Sequence, residues 1–303
     1  MECALEGDDL PKMPGNPTHS SRELVSAAEP RGRPPQNRAV MKHVASLGGL
    51  DYLAANYRKQ DFPKHVHEEY LIGLIERGVH DVWCRGELWH AGVGSIATFA
   101  PGEPHFGGAG SDLGWSQKIF YLPERLIRHV LEDSGTPAKG TLDFKSPFQS
   151  NQCVARGLKV LWNLLEDSYC SSLEIEEHLV GFLPRLITQT SKLNTPMQKP
   201  APPKFRSARD FIHAHFAGSV QLDTLAIIAG CSKTALIEGF KVHFGLPPNR
   251  YLIQVRIDEA RRLLRQDLDI ADVAAAVGFA DQSHLTRHFK AILGVTPARY
   301  LNA

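Results

Sequence analysis

Along residues 39–122 the apolar positions come in short runs broken by glycine and proline. Glu69–Ile75, Val79–Cys84, Gly94–Phe99 and Gln117–Tyr121 are rich in Val, Ile, Tyr and Trp, residue types that pack well on a pleated surface. Runs of this length and spacing predict an all-β sandwich or barrel. The period then changes. Val154, Leu158, Leu161, Trp162 and Leu165 recur at helical spacing between Cys153 and Leu165. Leu179, Phe182, Leu183, Leu186 and Ile187 do so between Leu173 and Thr188, with Pro184 as the expected kink. Two amphipathic helices therefore follow the strands.

Two stretches lack such a pattern. Residues 1–38 hold six prolines and no Phe, Trp, Tyr or Ile. They cannot bury enough apolar surface to offset ordering entropy, and a disordered leader is expected. Residues 194–204 hold four prolines in eleven positions, the composition of a stiff, extended spacer. The expected organisation is a leader at 1–38, a β domain with two helices at 39–190, a linker at 191–204 and a helical domain at 205–303. A chain of 303 residues is long enough for two domains.

The last hundred residues contain a repeat. Leu222, Leu225, Ala226 and Gly230 match Ile270, Val273, Ala274 and Gly278 at one offset. Leu236, Phe240, Lys241, Gly245, Pro248 and Tyr251 match Leu285, Phe289, Lys290, Gly294, Pro297 and Tyr300 at an offset one larger. The inserted residue falls just after the glycine, where a turn between helices tolerates it. Each unit reads helix, turn, helix. Ala226 and Ala274 allow close helix crossing. Gly230 and Gly278 stand where a helix ends and φ turns positive. Ser232 and Asp281 are N-caps of the next helix, whose buried stripe is Leu236/Phe240 or Leu285/Phe289. The units span 222–243 and 270–293. This is the pattern in which a second helix enters the DNA major groove. Between the units, Pro248–Gln266 has helical composition and spans at most about 28 Å, a little short of the about 34 Å between successive major grooves on one face.

Off the buried stripes lie the candidate DNA contacts: Lys233, Thr234, Ile237, Glu238 and Lys241 in the first unit, and Gln282, Ser283, His284, Arg287 and Lys290 in the second. Gln pairs with adenine, Arg with guanine, and Glu accepts from cytosine N4; Lys241 and Lys290 suit phosphates. Charge agrees with this division. The net charge of +1 divides into 13 Lys and Arg against 9 Asp and Glu from Lys204 onward, and 21 against 24 before it. A mildly basic C-terminal third suits a polyanion.

Residues 205–303 resemble the DNA-binding domain of the AraC/XylS family of bacterial transcription regulators. The run Ile270–Phe279, continuing through Asp281-Gln282-Ser283-His284-Leu285-Thr286-Arg287-His288-Phe289-Lys290 to Gly294-Val295-Thr296-Pro297-Ala298-Arg299-Tyr300, carries the resemblance. The first unit departs from it, with Glu238 where Arg287 stands in the second, and Leu301 replaces an Arg that often follows the last Tyr. The resemblance implies promoter DNA as a partner and RNA polymerase as a further contact; the two amphipathic helices at 150–190 need something to cover them, which points to a homodimer joined through them unless they pack on their own barrel.

The β domain carries its own chemistry. His65-Val66-His67 places two imidazoles on one strand face, and Pro101-Gly102-Glu103-Pro104-His105 follows. With Tyr70, Gly78 and Gly94, these residues resemble a cupin barrel and the sensing domain of the same regulators. The resemblance implies an α+β chain: a cupin-like all-β barrel with two following helices, then an all-α domain with two helix-turn-helix units. His65, His67, Tyr70, Trp83 and His105 are the candidate effector contacts, with Trp89 a further aromatic near them. A metal-dependent cupin supplies a Glu four or five residues after His-x-His; here those places hold Leu71 and Ile72. The expectation is therefore an organic effector oriented by neutral imidazoles, with no metal, cofactor or catalytic residue. The competing class is a metal-dependent cupin enzyme, dioxygenase-like, with a DNA-binding tail; stoichiometric iron or manganese on His65, His67 and His105 would mark it. A third reading is a barrel that serves assembly alone.

Compartment signals are few. The five cysteines form no C-x-x-C pair, which points to a reducing compartment. Met1–Asp9 is acidic and lacks the apolar stretch of a secretory signal. No apolar run approaches the roughly 18 residues of a spanning helix. A cytoplasmic, non-enzymatic regulator without a membrane partner is expected.

Overall fold

A computed structural model describes residues 22–24, 37–133, 142–192, 201–266 and 268–301. The strands are β1 (Arg22–Leu24), β2 (Arg38–Val44), β3 (Leu50–Tyr57), β4 (Phe62–His65), β5 (Tyr70–Gly78), β6 (His80–Cys84), β7 (Glu87–Ala91), β8 (Ile96–Phe99), β9 (His105–Ala109) and β10 (Trp115–Leu122). Helix α1 (Glu124–Asp133) follows, then β11 (Asp143–Phe144), β12 (Phe148–Gln149), α2 (Gln152–Glu166), α3 (Ser172–Thr190) and β13 (Ser191–Lys192). The helical part comprises α4 (Pro203–His215), α5 (Leu222–Ile228), α6 (Lys233–Phe244), α7 (Pro248–Leu264), α8 (Ile270–Ala276), α9 (Gln282–Leu293) and α10 (Pro297–Leu301).

The larger strands form two sheets, ordered β1-β7-β6-β9-β4 and β12-β8-β5-β10-β3-β2. The hairpin joining β6 to β7 turns on Arg85 (φ 55°) and Gly86 (φ 80°), a two-residue turn with both φ positive that matches strand twist. Between the sheets lie Leu53, Leu71, Val82, Phe99, Ile119 and Tyr121. The alternate residues Tyr52, Tyr70, Ile72, Phe120 and Leu122 face the other way, onto α1, α2 and α3. With both faces buried, β5 reads as a continuous apolar run. The two expected helices are thus covered on one side by their own barrel. Ser171 caps α3 and pairs reciprocally with Glu174, and the helix continues through Pro184.

The leader expected to be disordered contributes a strand: β1 pairs parallel with β7, Arg22 opposite Trp89. An edge strand offers unpaired backbone groups, and pairing there needs no core of its own. The remainder of the leader, 1–21 and 25–36, and linker residues 193–200 lie outside the described residues.

The helical part follows the repeat. Gly230 (φ +57°) and Gly278 (φ +85°) close α5 and α8. Ser232 and Asp281 accept hydrogen bonds from the backbone N–H groups of Ala235 and His284. Helix α7 joins two cores: Leu252 and Val255 pack with Leu236 and Phe240 of the first unit, and Ile257, Ala260 and Leu264 with Leu285 and Phe289 of the second. That second core is continuous with the barrel interior. The proline-rich spacer does not hold the two parts apart; they are docked. Among the described residues no helix is long and apolar enough to cross a membrane.

Candidate ligand cavity and nucleic-acid interface

Between the sheets lies a cavity of about 50 Å³, lined by apolar residues and by His65, His67, His80, His105, Gln117 and Tyr121. Strand pairing builds its polar wall. His65 ends β4 and stands opposite His105 on β9, and their rings are 4.5 Å apart. The His67 ring lies 4.8 Å from that of His65 and 5.2 Å from that of His105, with Tyr121 against its other side. His105 stacks on Phe99 at 4.2 Å. A carbonyl oxygen only accepts, so Nδ1 of His65 donates to Pro63 O (2.7 Å) and Nδ1 of His105 to Glu103 O (3.0 Å). In both rings the lone pair is then on Nε2.

Burial makes these imidazoles poor proton acceptors. It pushes His65 down to about 3, helped by His105. It pushes His105 down to about 4 against the opposing hydrogen bond to Glu103, and His80 to about 3. His67 is held well below the usual histidine value by burial and by His65 and His105. All four are neutral at pH 7. An unfolded chain binds their protons as pH falls below about 6.5, before the folded chain does. Stability conferred by the neutral rings is complete above about 6.5 and declines as pH drops toward 4 and 3. His105→Phe is expected to flatten the fall in the urea midpoint between pH 7 and 4.5; an unchanged slope would refute this assignment.

Two candidate effector contacts lie elsewhere. Leu71 and Val82 line the cavity, so their neighbours Tyr70 and Trp83 point to the opposite faces. The Tyr70 hydroxyl accepts from the Leu142 backbone N–H at 3.2 Å and its ring meets Phe144. Trp83 stacks on Phe106 at 6.2 Å. Trp89 packs on Phe148, one of the cavity residues. Sequence reasoning missed His80, whose parity with Val82 along β6 was the available signal. It also missed the floor: Ile292 and Leu293 of α9 line the cavity, so the second helix-turn-helix unit closes the barrel.

That closure is reinforced by ionic contacts. The Arg261 side chain, 5 % exposed, bridges Asp51 (2.7 Å) and Glu69 (2.9 Å) of the barrel. Arg265 also contacts Asp51, and His43 Nδ1 lies 2.6 Å from its other oxygen. Burial pushes the Asp51 carboxyl up, but His43 and the two arginines outweigh it and leave it lowered. Burial and the neighbouring Glu68 push Asp258 well up.

Lys233, Thr234, Glu238 and Lys241 of α6 are exposed, as are Gln282, Ser283, Arg287 and Lys290 of α9. Two candidates differ. Ile237 is half-buried in a groove with Leu222, Pro247 and Leu252. His284 is half-buried, its ring against Phe279 and its Nε2 3.1 Å from that of His288. The units also differ electrostatically. Lys233 pairs with Asp223 (2.6 Å) and Lys241 with Glu238 (2.9 Å). Among the described residues no ion pair engages Arg287 or Lys290.

Residues 47–183 match the AraC-like ligand binding domain family, and residues 225–303 match a helix-turn-helix domain family. YbfI of Bacillus subtilis (strain 168), an HTH-type transcriptional regulator, is 30% identical over 234 residues, covering 75% of this chain and 82% of that protein. This chain belongs to the AraC family of transcription regulators. The HTH-type transcriptional activator RhaS of Escherichia coli O81 (strain ED1a) is another relative of this AraC-family chain, 24% identical over 76% of this chain and 84% of its own length. In fold, the AraC-family chain resembles apo ToxT from Vibrio cholerae strain SCE256, with a TM-score of 0.54 at 14% identity, covering 83% of this chain and 97% of that one. ToxT from the same strain with a bound unsaturated fatty acid gives 0.53 at 12% identity, over 88% and 96%. The family assignment accounts for the helix-turn-helix pair and for a ligand-binding β domain in one chain.

Proposed function

We propose that this regulator, acting in the cytoplasm as a homodimer, binds promoter DNA through α6 and α9 and adjusts that binding to a small molecule in the barrel cavity. The observation that carries this reading is the position of Ile292 and Leu293. They belong to the wall of the histidine cavity and to the C-terminal end of the second recognition helix. A ligand that displaces this wall acts directly on a DNA-reading element, with no longer relay required. The barrel with its helices, 39–190, is the sensing and dimerising domain, 191–204 the linker and 205–303 the DNA-binding domain. The outer faces of α2 and α3, with Val160 and Val180 exposed, suit a second copy. The relatives are regulators, and the chain works by binding, with RNA polymerase as the contact through which promoter output changes.

Arg287, Lys290, Gln282 and Ser283 are the DNA contacts of the second unit; Lys233, Thr234, Glu238 and Lys241 are those of the first. Arg287→Ala is expected to weaken operator binding by about 1–3 kcal/mol. Glu238→Ala releases Lys241 toward a phosphate and leaves affinity unchanged or tighter. Fluorescence anisotropy on operator fragments selected from the chain's own genome, over a salt series, tests both. Binding must fall steeply with salt, as counterion release requires. Equal losses from the two substitutions, or salt-independent binding, would overturn this assignment.

A further inference from the structure

We propose that the seam between the barrel and the helical domain is a proton-operated latch: the docked chain holds a proton on Asp258 of α7, and loss of that proton releases α7, with both recognition helices, from the barrel. This signal is separate from the barrel cavity and independent of what binds there.

The seam carries more acid than base. Gln254, Asp258, Arg261 and Arg265 follow one another at i, i+4, i+7 and i+11 on α7, a spacing that puts them on one face. Against them stand Asp51 of β3, with His43 of β2 beside it, and Glu68 and Glu69 of the turn between β4 and β5. Four carboxylates thus meet two guanidiniums and one imidazole. These cations are spent on the barrel. Arg261 bridges Asp51 and Glu69, Arg265 reaches Asp51, and His43 Nδ1 lies 2.6 Å from Asp51. Asp258, its side chain 12 % exposed, is left 3.7 Å from Arg261, beyond hydrogen-bond distance. The neutral Gln254 amide donates to it, 3.2 Å from both oxygens. Further along α7, Tyr251 lies within reach of the same charge, and Glu259 is paired with Arg262.

The seam is also short of donors. Gln254 is 4 % exposed, yet its Oε1 has no hydrogen-bond partner among the described residues, and neither has the buried Oε2 of Glu69. Buried acceptors left unpaired are costly. A carboxylate only accepts, whereas a carboxylic acid carries one O–H. A proton on Asp258 therefore removes one surplus charge and supplies a missing donor. Turning the Gln254 amide over brings its Oε1 to that O–H. Burial and Glu68 favour the neutral form of Asp258, against the opposing pull of Arg261.

The sign of the response follows. Released, Asp258 faces water, where an aspartate ionises near pH 3.9. Above about that pH the docked chain carries one more proton than the released chain. Docking therefore weakens as pH rises, by up to about tenfold per unit for a single proton, until the docked carboxyl itself ionises. A cleft of about 390 Å³ lined by His43, Glu68, Glu69 and Arg265 borders the cluster and gives the proton a route to solvent. Helix α7 packs on both helix-turn-helix cores, so one protonation event acts on both reading heads at once.

The experiment uses the full-length chain. At about pH 6 its infrared spectrum should contain the carbonyl stretch of a protonated carboxyl, and Asp258→Asn should remove that band. Small-angle X-ray scattering between about pH 5.5 and 9 should give a radius of gyration that grows with pH for the unaltered chain. Asp258→Asn, which fixes an uncharged donor at this place, should stay compact throughout, and Asp258→Glu should keep the pH dependence. His43→Gln, which removes the imidazole of the cluster, should leave the dependence unchanged. Scattering of the unaltered chain that does not change with pH would overturn the proposal. So would a response that survives Asp258→Asn or vanishes with His43→Gln. Absence of the protonated-carboxyl band from the unaltered chain overturns it whatever the variants do.

Discussion

Replacing Arg261 with alanine is expected to destabilise the docked chain by about 3–5 kcal/mol. The guanidinium is buried between Asp51 and Glu69 of the barrel, and its removal strands the buried Asp51 carboxylate with one cation fewer and takes the ionic partner from the half-buried Glu69. Breaking one side of a buried ionic cluster costs about this much, because the remaining charges keep their desolvation penalty. Arg265 still contacts Asp51, but among the described residues no other cation pairs with Glu69. Because the cluster joins the two parts, the loss should also split unfolding into two steps. All four tryptophans lie in residues 83–162, so their fluorescence follows the β part, while far-ultraviolet circular dichroism is dominated by helices. In urea the two signals should coincide for the native chain and separate for Arg261→Ala. Coincident transitions with a loss below about 1 kcal/mol would show that the cluster does not couple the domains.

Phe289→Ala and Phe240→Ala occupy equivalent places in the repeat, and each should cost about 3–5 kcal/mol, the usual range for a buried phenylalanine. Their reach should differ. Phe240 sits in a core confined to the first unit and its neighbouring helices. Phe289 belongs to the core that runs into the barrel. Native-state hydrogen exchange is the measurement. Phe289→Ala should speed exchange in β4 and β9 as well as in α9, whereas Phe240→Ala should leave both strands protected. Equal behaviour would mean that the second unit is not mechanically part of the barrel.

The helix-turn-helix pair was legible because every local signal agreed with it. Caps at Ser232 and Asp281, left-handed glycines at 230 and 278 and stripes at i, i+4 are properties of short segments, and a duplicated segment states them twice. The cavity was half legible. His65, His67 and His105 are close in sequence or directly cross-strand, and they meet. Tyr70 was misplaced because strand parity is readable only when one face is polar; Trp83 shares the outer face of β6 with Asp81, and that parity was the signal passed over. Both faces of β5 are buried, so nothing in Tyr70–Ile75 tells inside from outside. Docking was illegible for a related reason. Arg261 and Arg265 look like the solvated face of α7, and the acids that bury them lie some two hundred residues away in sequence.

The glycines ending the two recognition helices have a further role. Gly245 and Gly294 adopt φ of +76° and +75°. A side-chain carbon at Gly245 would run into Pro104, and one at Gly294 into the Tyr57 hydroxyl. Each helix therefore ends pressed on the same barrel, at a point next to the cavity wall: Pro104 precedes His105, and Leu293 precedes Gly294. The barrel thus touches the end of each recognition helix. A shift in its histidines that moves one contact more than the other changes the separation and phase of the heads along the duplex. On the proposed reading, a ligand in the barrel would set the length of operator that fits, as a caliper is set by its screw.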